Sequence, residues 1–212
     1  MISRGYRRTT RATANAKIRD NESPRRRLRS FLLCAPHSKD VSHTRCVQKE
    51  LTMHRTKNDL PESTRVAMIK LLNDRLADAI DLFNQVKHAH WNVKGPNFIA
   101  IHELFDQVAE HVEEASDDLA ERAVQLGGVA DGLTASIAKR TSIKSIGLDL
   151  PDGRSYVDAV STSLAEYGAK VRQAIDTADK AGDKGTADLF TELSRSADKD
   201  LWFVEAHLYS ER

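Results

Sequence analysis

The stretch at residues 88–128, HAHWNVKGPNFIAIHELFDQVAEHVEEASDDLAERAVQLGG, decides the fold of this chain. Its glycines and proline occur only at Gly95-Pro96 and at the closing Gly127-Gly128, which indicates a helix end, a tight turn and a second helix over about 98–126. Apolar residues recur along that second helix at steps of three and four, as in an amphipathic helix. The stretch also contains five side chains of metal-binding types: His90, His102, Asp106, Asp117 and Glu121.

A first helix precedes the turn. Its apolar stripe consists of Val66, Ile69, Leu72, Leu76, Ile80, Phe83 and Val86. Pro61 and Glu62 suit its first turn, where a missing donor is harmless and an acid is favoured. Seven residues beyond Phe83 the stripe reaches His90, which predicts that this histidine faces inward.

The remaining chain repeats the helical pattern. Residues 129–153 are mixed, with a short helix predicted over about 133–140. A third helix is predicted from Ser155, an interruption at 182–185, and a fourth helix over about 186–208. The fold class is therefore all-α: a ferritin-like four-helix bundle with a short extra helix in the crossover between the second and third helices.

Composition favours a soluble, helix-rich protein. The 212 residues are 40% hydrophobic and 30% charged, and only five are proline. No run reaches the roughly 20 apolar residues of a membrane span, and no secretory signal is evident. We expect a cytoplasmic protein with no membrane partner.

Charge divides the chain into two parts. Residues 1–52 contain 13 lysines and arginines against 4 acidic residues, whereas residues 53–212 contain 19 against 27. We expect 1–52 to be a basic, disordered tail or a stretch translated upstream of a start at Met53, and 53–212 to be the helical domain. The composition of 1–52 also resembles a transit peptide. Cys34, His37, His43 and Cys46 could together hold zinc, but their spacing matches no common zinc finger.

The five metal-binding side chains form two pairs on the second helix and one residue on the first. His102 and Asp106 are four residues apart and share a face, as do Asp117 and Glu121. Asp106 and Asp117 lie roughly 16 Å apart at about 1.5 Å of rise per residue. Metal–ligand bonds are only about 2.0–2.6 Å long. One helix therefore cannot bring both pairs to one ion.

The pairs can meet if a second copy of the helix lies antiparallel across a two-fold axis near His111 and Val112. Each His102/Asp106 pair then faces a partner's Asp117/Glu121 pair, giving two equivalent sites per dimer. His90 can complete the histidine side, and the ligand set suits Fe(II), with Mn and Zn as competitors. Taken singly, each residue is more often a core histidine or a surface acid. The Glu-x-x-His motifs of bundle-internal di-iron sites are absent.

With its spacing H-x11-H-x3-D-x10-D-x3-E, the sequence resembles the starvation-induced DNA-protecting ferritin-like family, Dps. The resemblance is carried by AHWNVKGPNFIAIHELFD at 89–106, DDLAER at 117–122, QLGG at 125–128, TADLF at 186–190 and DLWFVEAHL at 200–208. It covers residues 58–209. It implies a hollow homo-dodecamer built from two-fold dimers, with a ferroxidase centre across each dimer interface.

The resemblance also implies residue roles. His90, His102 and Asp106 of one subunit, with Asp117 and Glu121 of its partner, would act as catalytic and metal-binding residues that oxidise Fe(II) to Fe(III) with hydrogen peroxide or oxygen. The ferric mineral would be stored in the cage, which would protect DNA from oxidative damage. Trp91 would be the aromatic residue beside the site. The family's pore acids resemble Asp183, Asp188 and Glu192.

DNA binding in this family depends on a mobile basic terminus that contacts phosphates. In this chain that would be residues 1–52, with the cluster Arg25, Arg26, Arg27 and Arg29, and nucleoid association would follow. Without these residues the remaining body is acidic. Two alternatives to the iron-storage function are a nucleoid-condensing protein with secondary iron activity, and a structural cage or surface antigen that has kept the ligands without using them.

Overall fold

The structure, a computed structural model, describes residues 53–209. Its elements are α1 (Glu62–Asn92), α2 (Phe98–Gln125), α3 (Thr134–Arg140), α4 (Gly153–Lys180), α5 (Lys184–Glu205) and a 3-10 turn at Ala206–Leu208. No strand occurs within this part of the chain. The predicted all-α bundle, with a short helix in the crossover, is confirmed.

The four long helices pack as two hairpins. α1 lies along α2 and α4 lies along α5, while α1 also contacts α4 and α2 contacts α5. A single apolar core runs between them, and its largest fully buried side chains include Phe105, Tyr156, Tyr167 and Phe190. No helix of residues 53–209 has the length and apolar character that crossing a membrane requires.

α4 and α5 each begin two residues earlier than predicted because of side-chain caps. α4 begins at Gly153 rather than Ser155, since Asp152 accepts the backbone N–H of Ser155 at 2.8 Å. α5 begins at Lys184 rather than Thr186, since Asp183 caps it in the same way. Both caps satisfy N–H groups that the first turn of a helix leaves without partners.

Only part of the apolar stripe predicted for α1 is buried. Ile69, Leu72, Leu76 and Val86 are fully packed, as are Met68 and Leu82, which the stripe did not include. Val66 is exposed, and Ile80 and Phe83 are only partly covered. α1 has neighbours on several sides, so its buried face is wider than one stripe.

α2 ends at a tight glycine turn. Gly127 has a φ of +89°, which L side chains rarely adopt, and its carbonyl accepts the N–H of His54 at 2.7 Å. A Cβ on Gly128 would come within 2.5 Å of the Ile69 side chain. Arg65 of α1 donates to the Leu126 carbonyl at 3.1 Å. The predicted glycine stop is confirmed, and the start of α1 holds it in place.

Two buried polar side chains of α1 hold the crossover. The Asn73 amide donates to the carbonyl of Val129 at 3.0 Å, and its oxygen accepts the N–H of Asp131 at 2.8 Å. Asp78 accepts from both the backbone N–H and the hydroxyl of Ser142. These bonds satisfy groups that would otherwise be buried without partners. The long connection is therefore fixed against α1 on both sides of α3.

A buried ion pair joins the end of α2 to the start of α5. Arg122 donates to Asp183 at 2.8 Å and to the hydroxyl of Thr186 at 3.0 Å. Asp183 is only 2% exposed, and it also accepts the backbone N–H of Thr186. The carboxylate thus stabilises a helix start and neutralises an arginine at once.

We expect Asp183→Ala to lower the free energy of unfolding by about 2 kcal/mol or more, because it removes a helix cap and leaves Arg122 without its buried partner. The measurement is urea denaturation followed by circular dichroism at a fixed protein concentration. Asp188→Ala, which removes an exposed acid from the same helix, is the matched control and should change little. Equal loss in both variants would contradict the buried role of Asp183.

Candidate metal centre

The α1–α2 hairpin brings two predicted ligands together. His90 lies near the end of α1 and His102 near the start of α2, on either side of the turn at residues 93–97. Their rings stack with centroids 3.7 Å apart and an interplanar angle of 21°. His90 is buried, as its position on the stripe predicted, and Phe98 packs against His102 with ring centroids 5.0 Å apart.

The two histidines are held by a reciprocal pair of hydrogen bonds. Nδ1 of His90 lies 2.8 Å from the backbone carbonyl oxygen of His102, and Nδ1 of His102 lies 2.8 Å from the carbonyl oxygen of His90. A carbonyl oxygen can only accept, so each Nδ1 donates a proton. In the neutral imidazole this leaves the lone pair on Nε2. Both rings are therefore fixed in the tautomer and orientation that a metal ligand needs.

Asp106 lies one turn beyond His102 and carries the first carboxylate of the set. Its side chain is 45% exposed, and its Oδ1 lies 3.9 Å from Nε2 of His90. Lys87 of α1 approaches the same oxygen to 2.5 Å. The hydrogen bond from Lys87 is the main cause of a lowered Asp106 pKa, and the positive charge of Lys87 adds to it while burial opposes the shift. The carboxylate is therefore held ionised, as a metal ligand must be.

Asp117 and Glu121 lie farther along α2 and are both exposed. Asp117 borders an open groove of about 560 Å³, whose apolar wall is formed by Leu76, Ile80, Ala120 and Ala130. Within residues 53–209 no group of three histidine, cysteine or acidic side chains on one chain is placed to hold a metal ion. The structure thus brings His90, His102 and Asp106 near one another and keeps Asp117 and Glu121 apart from them.

The other predicted functional residues have varied surroundings. Trp91, next to His90, is 69% exposed. Among the three candidate pore acids, Asp188 and Glu192 are exposed, whereas Asp183 is buried against Arg122. Arg25, Arg26, Arg27 and Arg29 lie outside the described residues, as do the four candidate zinc ligands of the same segment.

An acidic face runs between α2 and α5. Burial raises the pKa of the Asp118 carboxyl, and the nearby charges of Glu192, Asp117 and Glu114 raise it further. The negative charges of these acids repel one another around Asp118. Such a surface attracts metal ions by its field alone.

Two side-chain pairs were missed from the sequence. The first is Lys87 with Asp106. Lys87 lies three residues before His90, so both share a face of α1, and this spacing could have indicated that Lys87 lies beside the centre.

The second pair is His111 with Asp200. Asp200 is 3% exposed and lies 2.9 Å from Nδ1 of His111. Burial raises the pKa of Asp200, while His111 opposes the shift. His111 therefore faces α5, and Val112 is in the core. The two-fold axis expected near these two residues stays a prediction.

Known proteins resemble this chain over most of the residues that the structure describes. The ferritin-like domain family matches residues 69–211. The chain is 45% identical over 155 residues to the DNA protection during starvation protein of Agrobacterium fabrum, which covers 73% of this chain and 96% of the relative. It is 32% identical over 141 residues to the protein of the same name from Brevibacillus brevis, covering 65% of this chain and 92% of that protein.

Solved structures give the same result. Mycobacterium smegmatis Dps in its tetragonal form superposes with a TM-score of 0.71 at 29% identity, covering 75% of this chain and 96% of that one. DpsA14 from Streptomyces coelicolor has a TM-score of 0.71 at 33% identity, covering 76% and 95% respectively. The similarity therefore spans nearly the whole length of each relative.

Proposed function

The chain belongs to the ferritin-like Dps family, and on this basis we propose that it is a ferroxidase that oxidises Fe(II) and stores the ferric product inside a cage of identical subunits. Iron is here the substrate and cargo. The observation that carries the proposal is the reciprocal bonding of His90 and His102, which turns both Nε2 lone pairs into available ligands beside the ionised Asp106.

The donor set fits ferrous iron. Imidazole nitrogen with carboxylate oxygen suits Fe(II), while thiolate ligands, which would favour zinc or copper(I), are missing from residues 53–209. Three donors on one subunit do not surround an ion. We propose that a second subunit, antiparallel across a two-fold axis, completes each centre with its own Asp117 and Glu121, both of which are exposed and free to do so.

The reaction we propose uses hydrogen peroxide as the preferred electron acceptor. Two ferrous ions lose one electron each, and one hydrogen peroxide molecule takes both electrons as its O–O bond breaks to give two hydroxide ions. Because the electrons are taken as a pair, no hydroxyl radical is released. The protein supplies ligands and proximity, while the redox chemistry belongs to iron. Trp91, exposed beside His90, would reduce a stray oxidising equivalent by giving up one electron.

The cage we propose is a dodecamer built from the two-fold dimers. The acidic face formed by Glu114, Asp118 and Glu192 would line its interior and draw cations inward. For the pores we retain Asp188 and Glu192, which are exposed. Asp183 is left out of the pore set, because its carboxylate is committed to Arg122 and to the start of α5.

Ferrous iron and peroxide, mixed without oxygen, test the enzyme directly. The unaltered protein should generate ferric absorbance rapidly. Losing even an outer partner of a metal ligand can cost about 100-fold, so a His102→Ala/Asp117→Ala variant should slow by at least that factor. Glu103→Ala removes an exposed acid next to His102 and is the matched control, expected to be unaffected. An equal rate in the double variant would refute the proposed centre.

Mixed assemblies test whether the ligands come from two subunits. A His102→Ala chain and an Asp117→Ala chain are each expected to be nearly inactive alone. In a mixed dimer one of the two centres receives an intact histidine half and an intact acid half. Refolding the two variants together should therefore restore activity. If the mixture stays as inactive as its components, the ligands do not combine across subunits.

DNA protection is a second function that we propose for the full chain. The relatives from Agrobacterium fabrum and Brevibacillus brevis are named for it. In this chain the feature that supports it is the excess of 13 basic over 4 acidic residues at 1–52, with the Arg25–Arg29 cluster. A cage would multiply that charge twelvefold, favouring phosphate contacts and association with the nucleoid.

Gel-shift titrations with salt would test this binding. A chain beginning at Met1 should bind duplex DNA with a steep loss of affinity as salt rises, and a chain beginning at Met53 should bind at least tenfold more weakly. Replacing Arg25, Arg26, Arg27 and Arg29 with glutamine in the longer chain should reduce the salt slope. The same affinity for both lengths would show that residues 1–52 do not bind DNA.

A further inference from the structure

Lys87 contacts the histidine half-site, which consists of His90, His102 and Asp106, without being one of its metal ligands. Its Nζ lies 2.5 Å from Oδ1 of Asp106, the same oxygen that lies 3.9 Å from Nε2 of His90. The Lys87 side chain is only 23% exposed, so its stem packs along the hairpin instead of extending into solvent. The ammonium group is therefore held where a metal ion would contact Asp106.

Charge explains why a cation at this position matters. The proposed centre gathers three carboxylates, from Asp106 and from the partner subunit's Asp117 and Glu121, around two imidazoles. Without metal these carboxylates repel one another across the subunit interface, and the low exposure of an interface strengthens the repulsion. An ammonium group on Asp106 reduces the excess negative charge by one at each centre.

We propose that Lys87 is an internal counter-ion of the centre: it neutralises Asp106 while iron is absent, which allows the two-fold interface to form, and it is displaced from Asp106 when iron binds. This inference rests on the proposed function, because it requires the acids of the partner subunit to face Asp106. It assigns Lys87 a positioning role and no contact with the reacting atoms.

The counter-ion role predicts two effects of opposite sign. Lys87→Met keeps most of the apolar stem and removes the charge. Without metal, the variant should dissociate at a protein concentration at least tenfold higher than the unaltered chain, and added salt should restore its assembly by screening the repulsion. With metal, it should bind an ion about tenfold more tightly, because no ammonium has to be displaced.

Co(II) is the probe, since it takes the same kinds of ligands as Fe(II) and is detected by its visible absorption. Chelator-treated full-length protein is titrated with Co(II), and assembly without metal is followed by light scattering at low and high salt. Lys87→Arg should restore metal-free assembly. Lys70→Met is the matched control, because Lys70 pairs with Asp74 on the same helix but is 72% exposed.

The outcomes separate the inference from the function on which it rests. Weaker metal-free assembly with tighter Co(II) binding supports the counter-ion. If Lys87→Met weakens both metal-free assembly and Co(II) binding, and Lys87→Arg restores neither, Lys87 has only a packing role. Unchanged assembly and unchanged Co(II) binding would equally overturn the inference. A Co(II) affinity left unchanged by Asp117→Ala in an otherwise unaltered chain would refute the shared centre itself, whatever the Lys87 variants do.

Discussion

The rise of the α-helix is the constraint on which the proposed chemistry depends. At about 1.5 Å per residue, α2 separates its histidine pair from its acidic pair by several times the length of a metal–ligand bond. No side-chain rotation closes that gap. In the proposed arrangement each chain therefore carries two incomplete sets of ligands, and a second copy of α2 unites them. The apolar core that holds α2 in place would thus also hold the two sets apart until subunits pair.

Much of this architecture could be predicted from the sequence because it is local. Steps of three and four fixed the helices to within a few residues, and Gly127 marked the end of α2 through a φ that only glycine adopts readily. His90 was correctly placed inward by counting along the stripe. The spacing of the candidate ligands also predicted that one copy of α2 cannot bring both pairs to one ion, since helical geometry relates sequence distance directly to spatial distance.

The misses involve contacts between distant parts of the chain. Asp183 looks like a surface acid in sequence, and its burial depends on Arg122, 61 residues earlier. His111 and Asp200 are 89 residues apart, so no local pattern relates them. Lys87 and Asp106 meet only because the hairpin closes with one particular register. In each case the sequence pattern predicts a solvent-exposed polar side chain, because periodicity does not reveal a partner that only the tertiary fold brings close.

The reciprocal bonds between His90 and His102 span only 12 residues, and this has a consequence for biosynthesis. Contacts so close in sequence form as soon as a nascent α1–α2 hairpin closes, long before slower steps such as subunit assembly. A newly made chain would thus have its two imidazoles oriented early, whereas the proposed centre would be complete only after two subunits pair. Maturation of the oxidising site would therefore be limited by subunit association and not by folding of the α1–α2 hairpin.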